Sequence, residues 1–202
     1  MGAWLNQIGP IALILIGGVL SAVGVIWAQV QSDRQQQEII RLNEQITNAV
    51  TGGDSYPLVA PVFLARHGEQ GDIRSLHLRH SGTYPVYDLV VRVTDVMKLR
   101  ELAAQGGPYS MKEYMWQFHV GTIGRGYEDK LMEVPAPESE KMVFRFTFMA
   151  RNGQFEQRSI YQNVKGTWYT ATRLEKDGKV VFEHADKDIP PQVLSELTRA
   201  AL

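Results

Sequence analysis

The side chains best suited to metal binding or proton transfer are the five histidines: His67, His77, His80, His119 and His184. Only His77 and His80 are close in sequence. In a strand, a spacing of three residues places two side chains on opposite faces, so this pair does not converge on one ion. The histidines therefore predict no metal site.

Ser55 is the candidate nucleophile, because Asp54 precedes it and a distant histidine would complete a hydrolase triad. The sequence around Ser55 lacks the G-x-S-x-G turn that exposes the serine of α/β-hydrolases. A pair of carboxylates, Glu138 and Glu140, lies in VPAPESEK, which is typical of a solvated loop. These patterns predict no enzyme and no catalytic residue; a hydrolase that uses Ser55 is the alternative.

The run GTIGRG, from Gly121 to Gly126, has the glycine content of a phosphate-binding loop. Such a loop needs a lysine directly after the glycines and a following helix, and neither is signalled here. The run therefore indicates a loop between strands. Because the chain has no cysteine, it also offers no thiolate ligand or nucleophile, and we expect no cofactor.

The longest feature without a charge is GPIALILIGGVLSAVGVIWA, from Gly9 to Ala28. About 20 apolar residues in a helix span a bilayer, and Trp4 and Trp27 flank the run at the depth that indole rings prefer. We predict a membrane anchor over residues 1–30. A cleaved signal peptide is the alternative, but no Lys or Arg precedes the run and no A-x-A site follows it.

The charges near the predicted anchor leave its orientation open. Arg34 and Arg41 follow the run and no basic residue precedes it, which favours a cytoplasmic domain. A short N-terminal tail is equally typical of an anchor with an exported domain. Over the whole chain 21 Lys+Arg balance 22 Asp+Glu, which argues against nucleic acid as a partner.

Small residues form a stripe on the predicted membrane helix, and an apolar heptad seam continues from it through residues 31–51. Small residues allow two membrane helices to approach closely, and the seam is in phase with them. We therefore predict a short coiled-coil stalk over residues 31–51 and a parallel homo-oligomer. The alternatives are a solvated stalk or a helix that packs on its own domain. The residues predicted to associate are Gly17, Gly18, Ser21, Gly24, Ala28, Ile39, Leu42 and Ile46, and Ala49 continues the seam.

The segment TGGDSYP ends this helix, because glycine accepts a left-handed C-cap and Pro57 prevents the helix from resuming. We predict a Gly-rich hinge over residues 52–57. Successive amides in such a turn can also form a small anion-binding nest. The residues of this hinge and possible nest are Gly52, Gly53, Asp54 and Ser55.

Three short motifs resemble a family of uncharacterised bacterial single-pass membrane-anchored proteins. They are the GGDSY junction at 52–56, GTYPVYD at 82–88 and FMARNG at 148–153. The resemblance covers much of residues 10–185. It implies a bacterial cell (inner) membrane location and a β-rich soluble domain, and it implies no activity and no catalytic residue.

Beyond Pro57 the apolar residues repeat with a period of two, which predicts a mainly β domain over residues 58–186. Phe144, Phe146 and Phe148 alternate along one strand, and Asn152-Gly153 is a hairpin signal. About eight antiparallel strands favour an immunoglobulin-like β-sandwich, with a small barrel as second choice. We expect Trp116 and Trp168 in its core.

Two helices interrupt or end the β pattern. Met97–Gln105 is rich in helix formers and predicts a short helix that crosses between the sheets. Residues 187–202 predict a C-terminal helix that begins near Pro190 and Pro191 and docks through Val193, Leu194 and Leu197.

These features predict a membrane-anchored, oligomeric protein-interaction module without catalytic activity. Its partners would be the lipid bilayer, further copies of the chain and another protein. The exposed loops at 66–72 and 106–111 are where we expect that protein to bind. The alternative is a transmembrane sensor whose β-sandwich binds a small ligand.

Overall fold

The computed structural model describes the backbone of residues 3–66, 69–134 and 140–198. It describes the side chains of these residues except 3–16, 64–66, 69–72 and 198. The chain divides into two compact units, Met1–Thr47 and Asn48–Leu202. The elements are α1 (Ala3–Thr51), β1 (Tyr56–Arg66), β2 (Glu69–Ser81), β3 (Val86–Asp95), α2 (Val96–Gln105), β4 (Met115–Ile123), β5 (Glu128–Glu133), β6 (Lys141–Ala150), β7 (Gly153–Val164), β8 (Thr167–Lys176), β9 (Lys179–Ala185) and α3 (Pro191–Thr198).

The first unit consists of helix α1, which is 49 residues long and whose last turn belongs to the second unit. Side chains along α1 are described from Gly17 onward. Among the described residues, no helix is both long enough and apolar enough to cross a membrane. Residues 9–16 of the predicted membrane segment lie outside the described side chains, so the membrane anchor stays a prediction.

The second unit is mainly β, as the period-two pattern predicts. Its strands pair antiparallel in two sheets, one of order β1-β2-β5 and one of order β4-β3-β6-β7-β8-β9. Constant-type immunoglobulin domains divide about seven strands into four and three. The division into three and six strands is different, and the immunoglobulin-like assignment stays a prediction.

One apolar core joins the two sheets. It contains Val59 and Leu78 from the smaller sheet and the predicted row of Phe144, Phe146 and Phe148 from the larger one, all at most 3% exposed. Trp168 is buried in this core as expected, whereas Trp116 is half-buried at its margin. The alternating strands therefore turn their apolar faces towards each other, which is the main stabilising contact of the domain.

A buried polar cluster crosses the same core. The side-chain amide of Gln157 on β7 accepts from Val59 N (2.8 Å) and donates to Val59 O (2.6 Å) on β1, which lies at the edge of the other sheet. Its second donor hydrogen goes to Ser159 Oγ (2.8 Å), which lies 2.9 Å from Thr172 Oγ1. Gln157 thus occupies the backbone groups that β2 leaves unpaired at Val59.

A second apolar cluster lies on the outer face of the six-stranded sheet. There α3 covers the sheet through Val193 and Leu197, both 4% exposed, whereas Leu194 is 39% exposed. The predicted C-terminal helix is thus confirmed over 191–198, and residues 199–202 lie outside the described residues. The predicted helix at 97–105 is confirmed as α2, capped by Asp95 and by Gly106.

Three details of the predicted β domain are wrong: one helix connection, one loop and one strand. Helix α2 connects β3 to β4, which are neighbours in one sheet, so it does not cross between sheets. The expected loop at 66–72 is shorter, because β2 begins at Glu69. Strand β5 is not among the predicted strands, because its sequence EDKLME is charged and carries no β-branched residue.

Candidate functional site

The residues predicted for helix association lie on an open helix surface. Ile39, Leu42 and Ile46 are 57%, 44% and 61% exposed, which is unusual for large aliphatic side chains. A Cβ added at Gly17, Gly18 or Gly24 would meet no atom within 4 Å. Ser21 and Ala28 are also exposed. The whole predicted association surface is therefore accessible in a single chain.

The three motifs that carry the family resemblance meet in one place. Asn152 Nδ2 donates to Ser55 O (2.7 Å) and Gly53 O (3.4 Å), and Tyr84 N donates to Ser55 Oγ (2.9 Å). Segments 52–55, 82–88 and 151–152 thus form one hydrogen-bonded cluster, which we call the junction cluster. The second and third segments come together because β3 pairs with β6. Just beyond this ladder, Arg151 N donates to Tyr87 O (3.0 Å).

The junction cluster satisfies the last carbonyls of α1, which have no partner within a helix. Gly52 N donates to Asn48 O (2.8 Å) and the Tyr87 hydroxyl donates to Ala49 O (3.0 Å). Arg151 Nη1 lies 3.5 Å from Val50 O, and its positive charge is favourable at a helix C-terminus. The last helical turn is thereby bonded to the β domain, within the second unit.

Glycines allow the close approaches within the junction cluster. Gly52, at φ +100°, packs against Pro85, the residue before β3. A Cβ added to Gly52 would be 2.8 Å from Pro85 O. A Cβ on Gly53 would be 2.8 Å from Tyr84 Cδ2, and one on Gly82 would be 2.7 Å from Ser55 Cα. Each of these glycines therefore has both a left-handed backbone and no room for a side chain.

Ser55 is placed as a structural residue in this cluster. It is 0% exposed, and its hydroxyl oxygen accepts the hydrogen bond from Tyr84 N. A nucleophile must reach a substrate and a base, whereas this hydroxyl lies directly against Gly82. The geometry therefore does not favour the hydrolase that the Asp54-Ser55 pair suggests.

Three of the four backbone amides of the predicted anion nest donate hydrogen bonds to acceptors within the chain. Gly52 N, Gly53 N and Ser55 N donate to Asn48 O, Thr51 Oγ1 (3.4 Å) and Gly52 O (3.1 Å). An anion at 52–55 would have to replace these bonds, so the arrangement does not favour a nest. The predicted hinge overlaps the first two residues of β1, Tyr56 and Pro57, and its bending stays a prediction.

Asp88 and Arg151 form the charged part of the junction cluster. Asp88 has a left-handed backbone, at φ +56°, where the ladder between β3 and β4 shifts its register. This irregularity turns the carboxylate towards Arg151, whose Nε and Nη2 lie 3.0 and 2.8 Å from Asp88 Oδ2. The guanidinium also lies 4.9 Å from the centre of the Tyr87 ring, a cation–π distance.

The described histidines do not form a common site, and each has its own neighbours. His77 Nε2 lies 3.1 Å from Ser75 Oγ, and His80 Nε2 lies 2.8 Å from Tyr84 O at the junction cluster. Among the described residues, no group of three or more His, Asp or Glu side chains is arranged to hold a metal ion. His67 and Glu138 lie outside the described residues.

The loop after α2 is the described part of the predicted binding loops. Tyr109 and Met111 are 42% and 63% exposed, and the Tyr109 ring packs edge-on against Tyr114 at 5.9 Å. Ser110 caps a short 3₁₀ turn at Met111–Glu113. The loop at 66–72 has no described side chains.

Sequence reasoning missed two arrangements that depend on strand register. One is the Gln157 contact between the sheets; the other is a row of arginines on the outer face of the six-stranded sheet, where Arg145 lies opposite Arg158 and Arg158 opposite Arg173. The period-two pattern does place Gln157 and Ser159 inward, which is a signal for buried polar groups. Comparisons of the chain with models of known families, with curated proteins and with solved structures find no match.

Proposed function

We propose that this protein is a membrane-anchored, self-associating module whose β domain binds another protein. The observation that carries the proposal is the exposure of the apolar seam on α1, where Ile39, Leu42 and Ile46 are each at least 44% exposed. Exposure of these apolar side chains to water is unfavourable, and their heptad spacing allows the same surface of a second copy to cover them. The seam is in phase with the small residues at Gly17–Ala28, so one helix pair would use both.

The test of self-association is the mass of the full-length protein in a non-ionic detergent. Ile39→Asp places a charge in the seam, and Gly18→Leu removes the close approach in the predicted membrane part. We expect the wild type to sediment as an oligomer and both variants to shift towards monomer. Gln37→Asp, on the opposite face of α1, is the matched control and keeps the wild-type mass. Identical monomers in all four samples would contradict the proposal.

Membrane anchoring rests on the uncharged segment Gly9–Ala28, which lies within the continuous helix α1. A basic residue at the centre of a membrane helix costs about 3 kcal/mol on insertion scales. Val19→Arg should therefore reduce the carbonate-resistant membrane fraction, whereas Gln31→Arg, beyond the segment, should not. If neither variant nor wild type is retained in bacterial inner membranes, the anchor is refuted.

The β domain is proposed as the partner-binding part, in the manner of an immunoglobulin-like sandwich that recognises through its loops. Tyr109 and Met111 support this role, because exposed aromatic and methionine side chains are enriched at protein interfaces. Met111→Asp should weaken capture of the partner without changing the oligomeric mass. Capture that is unaffected by Met111→Asp would exclude this loop.

A transmembrane sensor is the second candidate, and the junction cluster favours it. Hydrogen bonds from Tyr87 to Ala49 O and from Arg151 to Val50 O connect the end of α1 to β3 and to the turn after β6. A ligand that shifts either strand would therefore also shift the helix end. A thermal-shift screen of the full-length chain separates the candidates. A small molecule that stabilises the protein strongly supports the sensor, and a screen in which no compound stabilises it favours the interaction module.

The side of the membrane that holds the β domain can be determined because the chain has no native cysteine. Gly107 suits an introduced cysteine, since it is exposed and an added Cβ meets no atom within 4 Å. Labelling of Gly107→Cys by an impermeant maleimide in intact cells would place the domain outside. Protection until lysis would place it in the cytoplasm.

A further inference from the structure

An arginine row crosses the outer face of the six-stranded sheet. Arg145 on β6, Arg158 on β7 and Arg173 on β8 occupy directly opposed positions. Their strand neighbours, such as Phe144, Phe146 and Leu174, point into the core, so the three guanidinium groups share the opposite face. Directly opposed side chains in a sheet are about 5 Å apart at Cβ, and like charges at this distance destabilise the pair.

The acidic groups around the row already have partners. Arg173 Nε lies 2.7 Å from Glu175, and its Nη1 lies 3.4 Å from Glu183. Glu156 accepts from Gln154 Nε2 (3.3 Å), and Glu196 on α3 binds Lys141 at 2.6 Å. Among the described residues, the side chain of Arg145 forms no hydrogen bond and no ion pair. None of these carboxylates forms an ion pair with Arg145.

The half-buried surroundings of the arginine row disfavour its positive charges. Arg145, Arg158 and Arg173 are each half-buried, and the next residues along the same face belong to the apolar cluster under α3. Burial, followed by the charges of Arg145 and of Arg100 on α2, lowers the pKa of Arg158, and Glu196 opposes this shift only in part. Arg100 thus adds a third positive charge close to Arg158 from another element.

We propose that Arg145 and Arg158, together with Arg100, bind a phosphate group. A guanidinium presents its N–H groups as a planar fork that matches phosphate oxygens. A phosphate carries up to two negative charges, which suits several cations around one position better than a single carboxylate does. The group belongs either to a small soluble phosphate or to a phospholipid headgroup, and the site is independent of the self-association proposed above.

The test measures thermal unfolding of the full-length chain in non-ionic detergent, with inorganic phosphate against chloride at equal ionic strength. Phosphate, and not chloride, should raise the melting temperature of the wild type. In Arg145→Gln the affinity for phosphate should fall about tenfold or more, as expected when charge-assisted hydrogen bonds are lost. Arg125→Gln, in the exposed turn before β5, is the matched control and should respond like the wild type.

A second readout distinguishes a ligand site from a merely structural arginine. Without phosphate, Arg145→Gln should melt at a higher temperature than the wild type, because it removes repulsion from Arg158. A structural role predicts a lower melting temperature instead. Arg145→Lys keeps the charge and removes the fork; it should therefore lose most of the phosphate response without gaining stability, and it serves if Arg145→Gln does not fold.

The lipid source is tested with vesicles that contain phosphatidic acid against vesicles of phosphatidylcholine alone. Arg145-dependent stabilisation by phosphatidic acid, without a response to inorganic phosphate, identifies the headgroup as the ligand. A response to inorganic phosphate identifies a soluble phosphate. Equal responses of wild type and Arg145→Gln, or no response of the wild type to either probe, would overturn the proposal.

Discussion

Arg151 binds one carboxylate oxygen of Asp88 through two nitrogens, at 3.0 and 2.8 Å, although Asp88 must adopt a left-handed backbone to meet it. For most residues with a Cβ this conformation costs about 1–2 kcal/mol, and Asp adopts it more readily than most. The contact connects the second and third motifs of the junction cluster, and the same guanidinium extends to Val50 O at the end of α1. A strained residue held at the end of a long helix indicates a position where the fold accepts a cost in order to fix that end.

A double-mutant cycle measures this contact. Asp88→Asn keeps a side chain that tolerates the left-handed backbone, and Arg151→Gln removes the charge. Because the two side chains are 67% and 46% exposed, we expect a coupling of about 0.5–1 kcal/mol in the free energy of unfolding. The coupling should decrease as salt is added. Additive single mutants at low salt would show that the pair contributes nothing.

Gly82 is predicted to be the least replaceable glycine of the junction cluster. Gly82→Ala would bring a methyl group within 2.7 Å of Ser55 Cα at a backbone φ of +115°. Strain and collision together should reduce the free energy of unfolding by about 3 kcal/mol or more. Gly126→Ala is the control: its φ is also positive, +79°, but no atom lies within 4 Å, so the loss should be about 1 kcal/mol. Equal losses in urea titrations would contradict the close approach.

Gln157 should be essential to the contact between the sheets. Gln157→Leu leaves the N–H and C=O of Val59 without their side-chain partner in a buried place, which should cost about 2–4 kcal/mol. Gln154→Leu, an exposed position on the same strand, should change stability by less than about 0.5 kcal/mol. A Gln157→Leu protein as stable as Gln154→Leu would mean that the amide does not hold β1 in solution.

Tyr161 gives the domain a specific weakness at alkaline pH. Burial raises the pKa of its hydroxyl above the ordinary 10.0, so the folded protein keeps a proton that the unfolded chain loses. Stability from this group is complete below pH 10 and is lost as the pH rises further, by up to about 1.4 kcal/mol per pH unit. Tyr161→Phe should lack this slope while keeping the decline due to other groups. Parallel pH profiles for the two proteins would contradict the burial.

Much of the β domain follows from local sequence. The alternation of Phe144, Phe146 and Phe148 predicts one buried face, and the hairpin after it is confirmed. The loop itself differs, since Ala150 pairs with Gly153 and the two turn residues are Arg151 and Asn152. Asn152 is thus the second turn residue and not the first, and its amide binds Ser55 O, a contact that no local signal contains.

The functional candidates depend on register and topology, which local patterns do not specify. Arg145, Arg158 and Arg173 are far apart in sequence and form a row only because three strands pair in one register. The segments GGDSY, GTYPVYD and FMARNG are likewise visible one by one in the sequence, but the contact between the second and the third depends on β3 pairing with β6. In contrast, the seam at Ile39, Leu42 and Ile46 can be predicted from heptad spacing alone, because its residues lie on a single helix.

Self-association through α1 is tested most directly by disulfide cross-linking in isolated membranes, because the chain has no cysteine of its own. In a parallel helix pair the two copies of Ile46 face each other across the seam, within the Cα distance of about 4.4–6.8 Å that a disulfide needs. Glu44 lies on the far side of the helix. We predict that Ile46→Cys forms a covalent dimer on mild oxidation and that Glu44→Cys does not. Cross-linking that is absent at Ile46→Cys, or equal at both positions, would contradict the proposed helix pair.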